Sequence, residues 1–486
     1  MRKPVSLGIA FIPLLVLVAL IAAVVSVFGD ETLAGASQIA LIVAAAVAVG
    51  IGLLRRDIVW GDFEREIGRK MGDLSVTIFI LLLIGALGGS WMVSGVVPTL
   101  IYYGVQMMSP SWFLLSACLI CALVSVMTGS SWTTIATIGV ALIGIGGAMG
   151  IEQGWVAGAI VSGAYFGDKI SPLSDTTVLA SSTVGTPLFT HIRYMLWTTV
   201  PTFAITLLIL AAKGIGTGGV DMHQVDLVQK GLSSTFVLSP WLLVVPVITG
   251  VMIYMRLPSV VVLFMATLIA TVTASAVQGE LLDQIAGADH EGWMQRFRGA
   301  MIVVSGSTSL DTGVPELNRL VATHGMSGMM GTIWLILCAA LFGSAMSVAG
   351  MIESIMRSVV RLARGLVSTV ACTAATGFFF NVAIADQYLS IILTSNIFSD
   401  LYRKRGYESR LLSRTVEDGT TVTSVLIPWN TCGMTQSSVL GVSTLAYAPY
   451  AFFCYLSPLM TVLAAAVMSY RGLGKDNHFY YHRHEL

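Results

Sequence analysis

The sequence predicts an all-α polytopic membrane protein with about ten transmembrane helices, two re-entrant hairpins and inverted-topology repeats. Three observations lead to this fold class. Of the 486 residues, 55% are hydrophobic and only 11% are charged, whereas a soluble protein is typically about 25% charged. Apolar stretches long enough to cross a bilayer recur along the chain. Polar clusters interrupt four further apolar stretches, two in each half of the sequence.

The uninterrupted apolar runs define the predicted spans, because about 20 helical residues cross the hydrocarbon core. The first run follows two basic residues and is too long for the core of a signal peptide, so we expect it to be retained as a span. Stretches 111–150 and 367–400 are each long enough for two passes, whereas polar residues break 155–183 and 411–442. The uninterrupted runs are 7–28, 33–54, 74–97, 192–214, 237–254, 257–277, 330–350 and 447–469.

Lysine and arginine residues concentrate in some of the connecting loops, which predicts the side of the membrane on which each loop lies. Loop 55–73 and the segment that follows residue 350 are basic, so both are predicted to be cytoplasmic. Loops 215–236 and 278–298 are mostly acidic and are predicted to be external. The N-terminus and the tail are basic as well. We therefore expect both termini in the cytoplasm.

Short sequence matches relate two halves of the chain. The span at 74 starts inside and the span at 330 ends inside, so the halves run in opposite senses, as in many secondary transporters. The broken stretches 111–150 and 367–400 then become re-entrant hairpins. The matches are 86–92 with 340–346, Thr128-Gly129 with Thr376-Gly377, and Asp175-Thr-Thr-Val with Gly419-Thr-Thr-Val, where Asp418 stands one place earlier; the offsets are 254, 248 and 244.

These boundaries divide the chain into five segments. Residues 1–73 contain two spans and a basic loop, and residues 74–214 form the first repeat. Connecting spans and external loops occupy 215–329. The second repeat is 330–469, and the cytoplasmic tail is 470–486.

The most informative segment is GDKISPLSDTT at 167–177. Between Asp73 and Arg193 the chain has only four charged residues, and three of them, Asp168, Lys169 and Asp175, lie in this segment. A charged side chain at the centre of a bilayer costs roughly 2.5–3.5 kcal/mol on insertion scales. Such groups in a broken apolar span indicate a functional site.

Polar clusters at membrane depth are typical of cation sites. Hydroxyl, amide and backbone oxygens at helix breaks are ligands for a small hard cation, and a carboxylate supplies the balancing charge. The same carboxylate can bind a proton, because desolvation disfavours its charged form. We predict Na+ at Asp175 and Asp418, with Asp175 as the primary shared group. The other candidate ligands are Asp168, Ser171, Ser174, Thr176, Thr177, Thr420, Thr421, Asn430, Asp386, Asn381, Ser130, Ser131 and Thr133.

Each of these residues also has a structural alternative. Serine and threonine in membrane helices often bond back to a carbonyl of their own helix. Asp168 could pair with Lys169, although adjacent residues on a regular helix do not face each other. Glu417 could pair with Arg414, and Asp386 could be a hydrogen-bond acceptor at the tip of its hairpin.

Several of these motifs together resemble the NhaC-type sodium/proton antiporter family. They include 167–177, LSRTVEDGTTVTS at 412–424, IPWNTCG at 427–433 and TGSSWT at 128–133. The resemblance covers nearly the whole of both halves. It implies proton-driven sodium extrusion and a superfamily fold with inverted repeats, paired hairpins and a homodimer. It leaves the substrate open, because the family includes exchangers that move malate inward while lactate leaves with ions.

The main functional prediction is exchange of Na+ for H+, with Li+ as a further candidate ion and the lipid bilayer as the surroundings. The alternative is an organic-anion exchanger, for which Lys169 and Arg414 are the candidate anchors of a substrate carboxylate. A cation channel is disfavoured, because the chain has no repeated carbonyl-filter sequence. We predict no enzymatic activity, cofactor or nucleic-acid partner. The number of available acidic residues leaves the Na+:H+ stoichiometry open.

Overall fold

The computed structural model describes residues 5–28, 35–55, 59–215, 222–255, 257–287, 292–313, 317–318 and 321–470. These residues are overwhelmingly helical, and the pairing of extended backbone among them is limited to one isolated bridge between Thr308 and Thr323. Ten helices are long and apolar enough to cross a membrane, or up to eleven if one bent pair counts as a span. The predicted all-helical, multi-pass class is confirmed. The basic N-terminal residues and tail positions 471–486 lie outside the described residues.

The first two helices precede a third that is longer than a bilayer requires. Helix α3 has 34 residues and is therefore about 51 Å long, at 1.5 Å per residue. It starts in the segment that the sequence assigns to the basic loop 55–73. Ion pairs one turn apart, Arg65 with Asp62 and Arg69 with Glu66, join side chains of this charged part of the helix. The bounds are α1 Leu7–Phe28, α2 Ala36–Leu54 and α3 Trp60–Val93.

The next helices contain two breaks that matter for the site. The first break lies between α5 and α6, and the second lies between α8 and α9. A π-helical turn, Ile135–Gly139, joins α6 to α7. The bounds are α4 Val96–Met107, α5 Pro110–Thr128, α6 Ser131–Thr134, α7 Val140–Ala148, α8 Gln153–Ile170, α9 Asp175–Val184 and α10 Leu188–Ile215.

The connecting region differs from its prediction at one span. The sequence predicts an apolar span over 237–254. In the structure, the helices Asp226–Thr235 and Pro240–Tyr254 are long and apolar enough to cross a membrane only when they are taken together, and an angle of 89° separates their axes. Pro240 follows Ser239, whose side chain caps a new 3-10 turn, so a new helical segment begins there in another direction. The bounds are α11 Met222–Thr235, α12 Val244–Tyr254, α13 Ser259–Val277, α14 Gly279–Ala286 and α15 Trp293–Ser305.

The last third of the chain also contains two breaks. One lies between α18 and α19, and the other follows a π-helical turn, Glu417–Thr421, that continues α20. The bounds are α16 Met330–Val348, α17 Met351–Leu362, α18 Leu366–Ala383, α19 Gln387–Lys404, α20 Ser409–Val416, α21 Thr431–Leu440, α22 Thr444–Tyr447 and α23 Phe452–Tyr470.

The ten span-length helices include arms of both stretches that the sequence predicts as hairpins. Pro110–Thr128, Ser131–Ala148 and Leu366–Ala383 each meet the length and hydropathy required of a span. The structure and the sequence therefore both give about ten spans, but the ten helices of the structure include segments that the sequence assigns to hairpins. The re-entrant course of these stretches stays a prediction.

Glycine residues bring the broken helices close to their neighbours. A Cβ atom on Gly163 of α8 would collide with the backbone oxygen of Cys118 in α5. A Cβ atom on Gly377 of α18 would collide with the Thr420 hydroxyl in the second π-helical turn. Small residues allow this approach in membrane proteins. Each of the two broken regions is thus held against one of the interrupted stretches.

Candidate functional site

The first broken helix places a polar segment inside the protein. Helix α8 ends at Ile170, the chain continues in a non-helical conformation, and α9 starts at Asp175. The Ser174 hydroxyl accepts a hydrogen bond from the backbone N–H of Thr177 and so caps α9. Serine is among the preferred residues for this position. This cap fixes the break directly after Asp168 and Lys169.

The strongest interaction in the site joins the two halves of the chain. Lys169 and Asp418 form an ion pair in which both side chains are fully buried. The Lys169 ammonium also donates to Ser457 Oγ at 2.8 Å, and Thr198 Oγ1 donates to Asp418 Oδ2 at 2.9 Å. Arg414 Nε lies 3.9 Å from the same oxygen. Asp418 therefore has a protein partner at each oxygen.

This ion pair corrects two expectations from the sequence. Asp168 does not pair with its neighbour Lys169, because adjacent helical residues point in different directions. Lys169, a candidate anchor for an organic anion, is occupied by Asp418. Arg414 lies nearest to Asp418 rather than Glu417, and its guanidinium stacks over the Tyr194 ring at 4.8 Å.

Two other buried carboxylates each have one oxygen without a partner in the described part of the chain. Asp168 Oδ2 accepts hydrogen bonds from the Ser131 N–H at 3.2 Å and hydroxyl at 2.7 Å, whereas Oδ1 accepts no well-formed hydrogen bond from the described residues. Glu417 Oε1 accepts from Thr176 Oγ1 at 3.4 Å, and Oε2 has no such partner. Buried polar atoms are nearly always satisfied in folded proteins. These two oxygens are therefore available to bind a cation or a proton.

Hydroxyl groups surround these carboxylates. Ser174 lies beside Asp168, and Thr421 lies beside Glu417. The hydroxyl oxygens of Thr420 and Thr421 are buried and have no hydrogen-bond partner among the described residues. The arrangement supplies carboxylate and hydroxyl oxygens, which are the ligands that hard cations prefer.

Asp175, the primary candidate from the sequence, has a different environment. Its side chain is exposed and faces a cavity of about 250 Å³. Asp175 Oδ2 accepts a hydrogen bond from Tyr388 Oη at 2.7 Å, and Oδ1 accepts from the Thr176 N–H at 3.0 Å. The charge of Asp175 interacts with that of Asp168. Asp175 thus lies between the cavity and the buried carboxylates. The cavity is lined by Thr128, Gly129, Ser130, Thr133, Leu173, Asp175, Ile253, Leu257, Pro258 and Val262.

Three further predicted ligands, besides Ser174, are helix caps in the structure. Ser130 accepts from the Thr133 N–H at the start of α6, and the Thr133 hydroxyl also donates to Ser130 Oγ. Asp386 Oδ1 accepts from the Leu389 N–H at 2.9 Å at the start of α19. Asn430 caps α21 through the Cys432 N–H at 3.0 Å. Their side-chain oxygens therefore satisfy backbone donors that the helix itself leaves unpaired.

Other predicted ligands fasten one backbone segment to another. Asn381 Nδ2 donates to the Thr420 carbonyl at 2.7 Å, which supports the second π-helical turn. Ser171 Oγ donates to the Val126 carbonyl at 2.7 Å, and Thr177 Oγ1 donates to the Lys169 carbonyl at 3.0 Å. These residues position the broken helices around the carboxylates.

Helix boundaries recur along the chain at a spacing of 255–256 residues, whereas the offsets of the sequence matches decrease from 254 to 244. Helix α4 starts at Val96 and α17 at Met351, 255 residues later. Helices α9 and α21 have ten residues each, start 256 residues apart, and precede Gly185 and Gly441, both with positive φ. This spacing aligns Asp175 with Thr431, whereas the sequence match aligns it with Gly419, one place after Asp418. Asp175 is the first residue of α9, whereas Asp418 lies within the π-helical turn that follows α20.

Comparison with known proteins agrees with the motifs. A sequence model of the family described as the Na+/H+ antiporter family matches residues 5–185 and 163–467. The chain belongs to the Na+/H+ antiporter family. It is 38% identical to the Na+/H+ antiporter NhaC of Alkalihalophilus pseudofirmus over 98% of this chain and 97% of the relative.

Other relatives of the chain carry different names. The malate-2H+/Na+-lactate antiporter of Bacillus subtilis is 34% identical over 86% of this chain and 87% of its own. The arginine/ornithine antiporter ArcD of Halobacterium salinarum is 35% identical over 79% of this chain and 77% of its own. Membership of the Na+/H+ antiporter family is therefore shown, and the comparisons are with transporters.

Four residues of this antiporter-family site escaped the sequence analysis. Glu417 lies three residues after Arg414, and this spacing favours a structural ion pair as its alternative role. Tyr388 lies two residues after the predicted ligand Asp386, and this proximity is the signal in the sequence that Tyr388 belongs to the site. Thr198 and Ser457 lie in apolar spans, where single hydroxyl residues usually bond to their own helix. Their contacts with Asp418 and Lys169 required the three-dimensional structure.

Proposed function

We propose that the protein exchanges Na+ for H+ across a bacterial inner membrane by alternating access, with both ions competing for Asp168 and Glu417. The observation that carries this proposal is the pair of unpartnered oxygens on these two fully buried carboxylates. The name of the relative from Alkalihalophilus pseudofirmus supports the same ions. Asp175 is the group that the ion meets first in the cavity.

The buried charges favour one cation at a time. Lys169 and Arg414 are buried cations, and Asp168, Glu417 and Asp418 are buried anions. With all five ionised, the cluster has a net charge of −1, which one Na+ or one proton neutralises. An uncompensated buried charge is costly to move through a low-dielectric region. The site is therefore expected to change sides only with one of the two ions bound.

The proposed architecture is an inverted repeat with both termini in the cytoplasm. The recurrence of helix bounds at 255–256 residues supports the repeat. The long arms of the two interrupted stretches leave open whether each arm turns back within the membrane or crosses it. Cysteine labelling from each side at positions 129 and 385 distinguishes these two courses.

The function is tested in proteoliposomes with a pH-sensitive dye. We expect Na+ and Li+, but not K+, to release protons, and Glu417→Gln to abolish this release. Glu408→Gln is the matched control, because Glu408 precedes the same helix but pairs with Arg410 near the surface. Full Na+-dependent proton release by Glu417→Gln would contradict the assignment of the ion site.

The same vesicles test the organic-anion alternative. Both candidate anchors of a substrate carboxylate already have a protein counter-charge, since Lys169 pairs with Asp418 and Arg414 lies 3.9 Å from the same carboxylate. Labelled malate or lactate loaded inside should therefore show no counterflow. Counterflow of either anion would establish the alternative that the Bacillus subtilis malate/lactate relative represents.

A further inference from the structure

The first turn of α9 separates the cavity from the buried carboxylates. Asp175 is exposed to the cavity, whereas Thr176, the next residue, is buried and donates to Glu417 Oε1 at 3.4 Å. The Thr176 N–H in turn donates to Asp175 Oδ1 at 3.0 Å. Within the first turn of α9, the Asp175 carboxylate therefore faces the cavity one residue away from the hydroxyl that contacts Glu417.

One hydrogen bond from another part of the chain occupies Asp175. Tyr388 Oη donates to Asp175 Oδ2 at 2.7 Å across 213 residues of sequence. Tyr388 lies in the first turn of α19, next to Gln387. Gln387 Nε2 donates to the Thr421 carbonyl at 3.1 Å, within the π-helical turn that contains Glu417. The tyrosine is thus fixed to the same turn that holds the buried carboxylate.

We propose that Tyr388 sets the affinity of the protein for sodium by occupying Asp175 until an ion displaces it. This inference rests on the proposed function, because it takes Na+ as the ion that Asp175 meets. The hydroxyl hydrogen and a cation compete for the same carboxylate oxygen, since both are positive and both need its lone pairs. Tyr388 also ties α9 to α19, so displacement of its hydroxyl loosens a contact between the two halves of the chain.

The decisive variant is Tyr388→Phe, which keeps the aromatic ring and removes the hydroxyl. A hydrogen bond to a charged group contributes enough free energy to change a binding constant about tenfold. We therefore expect the Kd for Na+, measured by titration calorimetry on the purified full-length protein in detergent, to fall about tenfold. In transport, KM for Na+ should fall while kcat stays equal or decreases.

Two further variants make the result specific. Tyr402→Phe removes a hydroxyl from the same helix, but that hydroxyl contacts Thr373 Oγ1 at 3.1 Å rather than a carboxylate. Its Kd for Na+ should equal that of the wild type. In an Asp175→Asn background, Tyr388→Phe should change the Kd less than twofold, because the competing carboxylate is gone. Tyr388→Met provides a second test if the phenylalanine variant does not fold.

The outcomes separate this inference from the proposed function. A higher Kd in Tyr388→Phe would mean that the tyrosine oxygen is itself a ligand and would overturn the proposal. An unchanged Kd, an equal shift in the Asp175→Asn background, or no measurable Na+ binding by any variant would overturn it as well. A lower Kd in a protein whose wild type releases no protons would support Tyr388 and refute Na+/H+ exchange.

Discussion

Asp418 and Glu417 are neighbours in sequence and both are fully buried, yet their surroundings are opposite. Asp418 pairs with Lys169 and accepts hydrogen bonds from Thr198 and Ser457. Glu417 accepts a long hydrogen bond from Thr176, and its other oxygen has no hydrogen-bond partner in the part of the chain that the structure describes. Burial alone therefore does not identify an ion ligand in this protein. Under the proposed function, the unsatisfied oxygen distinguishes the group that exchanges ions from the group that holds the structure together.

The π-helical turn explains how two adjacent residues serve different neighbours. Residues Glu417–Thr421 form a wider turn than an α-helix, so their backbone carbonyls are less regularly paired. The Asn381 side chain donates a hydrogen bond to the Thr420 carbonyl, and the Gln387 side chain donates one to the Thr421 carbonyl. The interrupted stretch α18–α19 thereby holds the turn in a conformation in which Glu417 and Asp418 have different hydrogen-bond partners.

The largest expected effect follows from breaking the Lys169–Asp418 pair. Lys169→Met leaves Asp418 buried without its main countercharge, which should destabilise the protein by about 3–5 kcal/mol. Thermal unfolding in detergent should show the loss as a clear decrease in Tm. Lys213→Met is the control, because Lys213 is exposed at the end of α10 and stacks on Trp155 at 5.0 Å.

The double variant Lys169→Met with Asp418→Asn sharpens this prediction. Removing both charges eliminates the uncompensated carboxylate, so much of the lost stability should return. If the double variant were as unstable as Lys169→Met alone, the ion pair would not be the source of the destabilisation.

A smaller effect is expected where α18 meets the π-helical turn. Gly377→Ala places a methyl group against the Thr420 hydroxyl, and overpacking of this kind typically costs about 1–3 kcal/mol. Gly88→Ala in α3 meets no atom within 4 Å, so it should leave the Tm unchanged or slightly raised, since alanine favours helix. Equal Tm values for the two variants would contradict the close contact at Gly377.

The sequence located the two polar segments but misjudged the relation between them. The match at an offset of 244 aligns Asp175 with Gly419, and Asp418, one place earlier, was taken as the counterpart of Asp175 because a Thr-Thr follows closely in both segments. The helix bounds align Asp175 with Thr431. Contact between Lys169 and Asp418 spans 249 residues, and no local pattern encodes such a contact. By contrast, hydropathy and helix breaks are local properties, so most spans and both interrupted stretches were predictable.

The charged start of α3 shows a second limit of hydropathy. Five basic residues between 55 and 73 suggested a loop, since the segment is too polar to lie in lipid. A helix can nevertheless continue beyond the bilayer when charged residues pair along its surface. Arg65 and Arg69 do so with Asp62 and Glu66. Hydropathy marks the membrane boundary rather than the end of the helix.

Asp168→Asn should separate stability from transport. The substitution removes a buried charge that has no paired cation, so the free energy of unfolding should stay equal or increase by about 1 kcal/mol, since unpaired buried charge is unfavourable. Sodium-dependent proton release should fall at least about 100-fold, because the amide cannot exchange a proton at neutral pH. Lys169→Met should show the opposite pattern, with a larger effect on the Tm than on transport. A large decrease in the Tm of Asp168→Asn would place Asp168 among the structural carboxylates.

The smallest expected effect concerns Asp386, which the sequence grouped with the ion ligands. In the structure, Asp386 Oδ1 caps α19 through the Leu389 N–H at 2.9 Å. Asparagine is as good a cap as aspartate, so Asp386→Asn should change stability by less than about 0.5 kcal/mol. Proton release should stay within about twofold of the wild type if Asp386 acts only as a cap, since an asparagine side chain still accepts this hydrogen bond.

Asp386→Ala supplies the contrast, because it loses the cap and should cost about 1 kcal/mol. If Asp386→Asn instead abolished transport while its Tm stayed unchanged, the carboxylate charge would be required, and Asp386 would belong with Asp168 and Glu417.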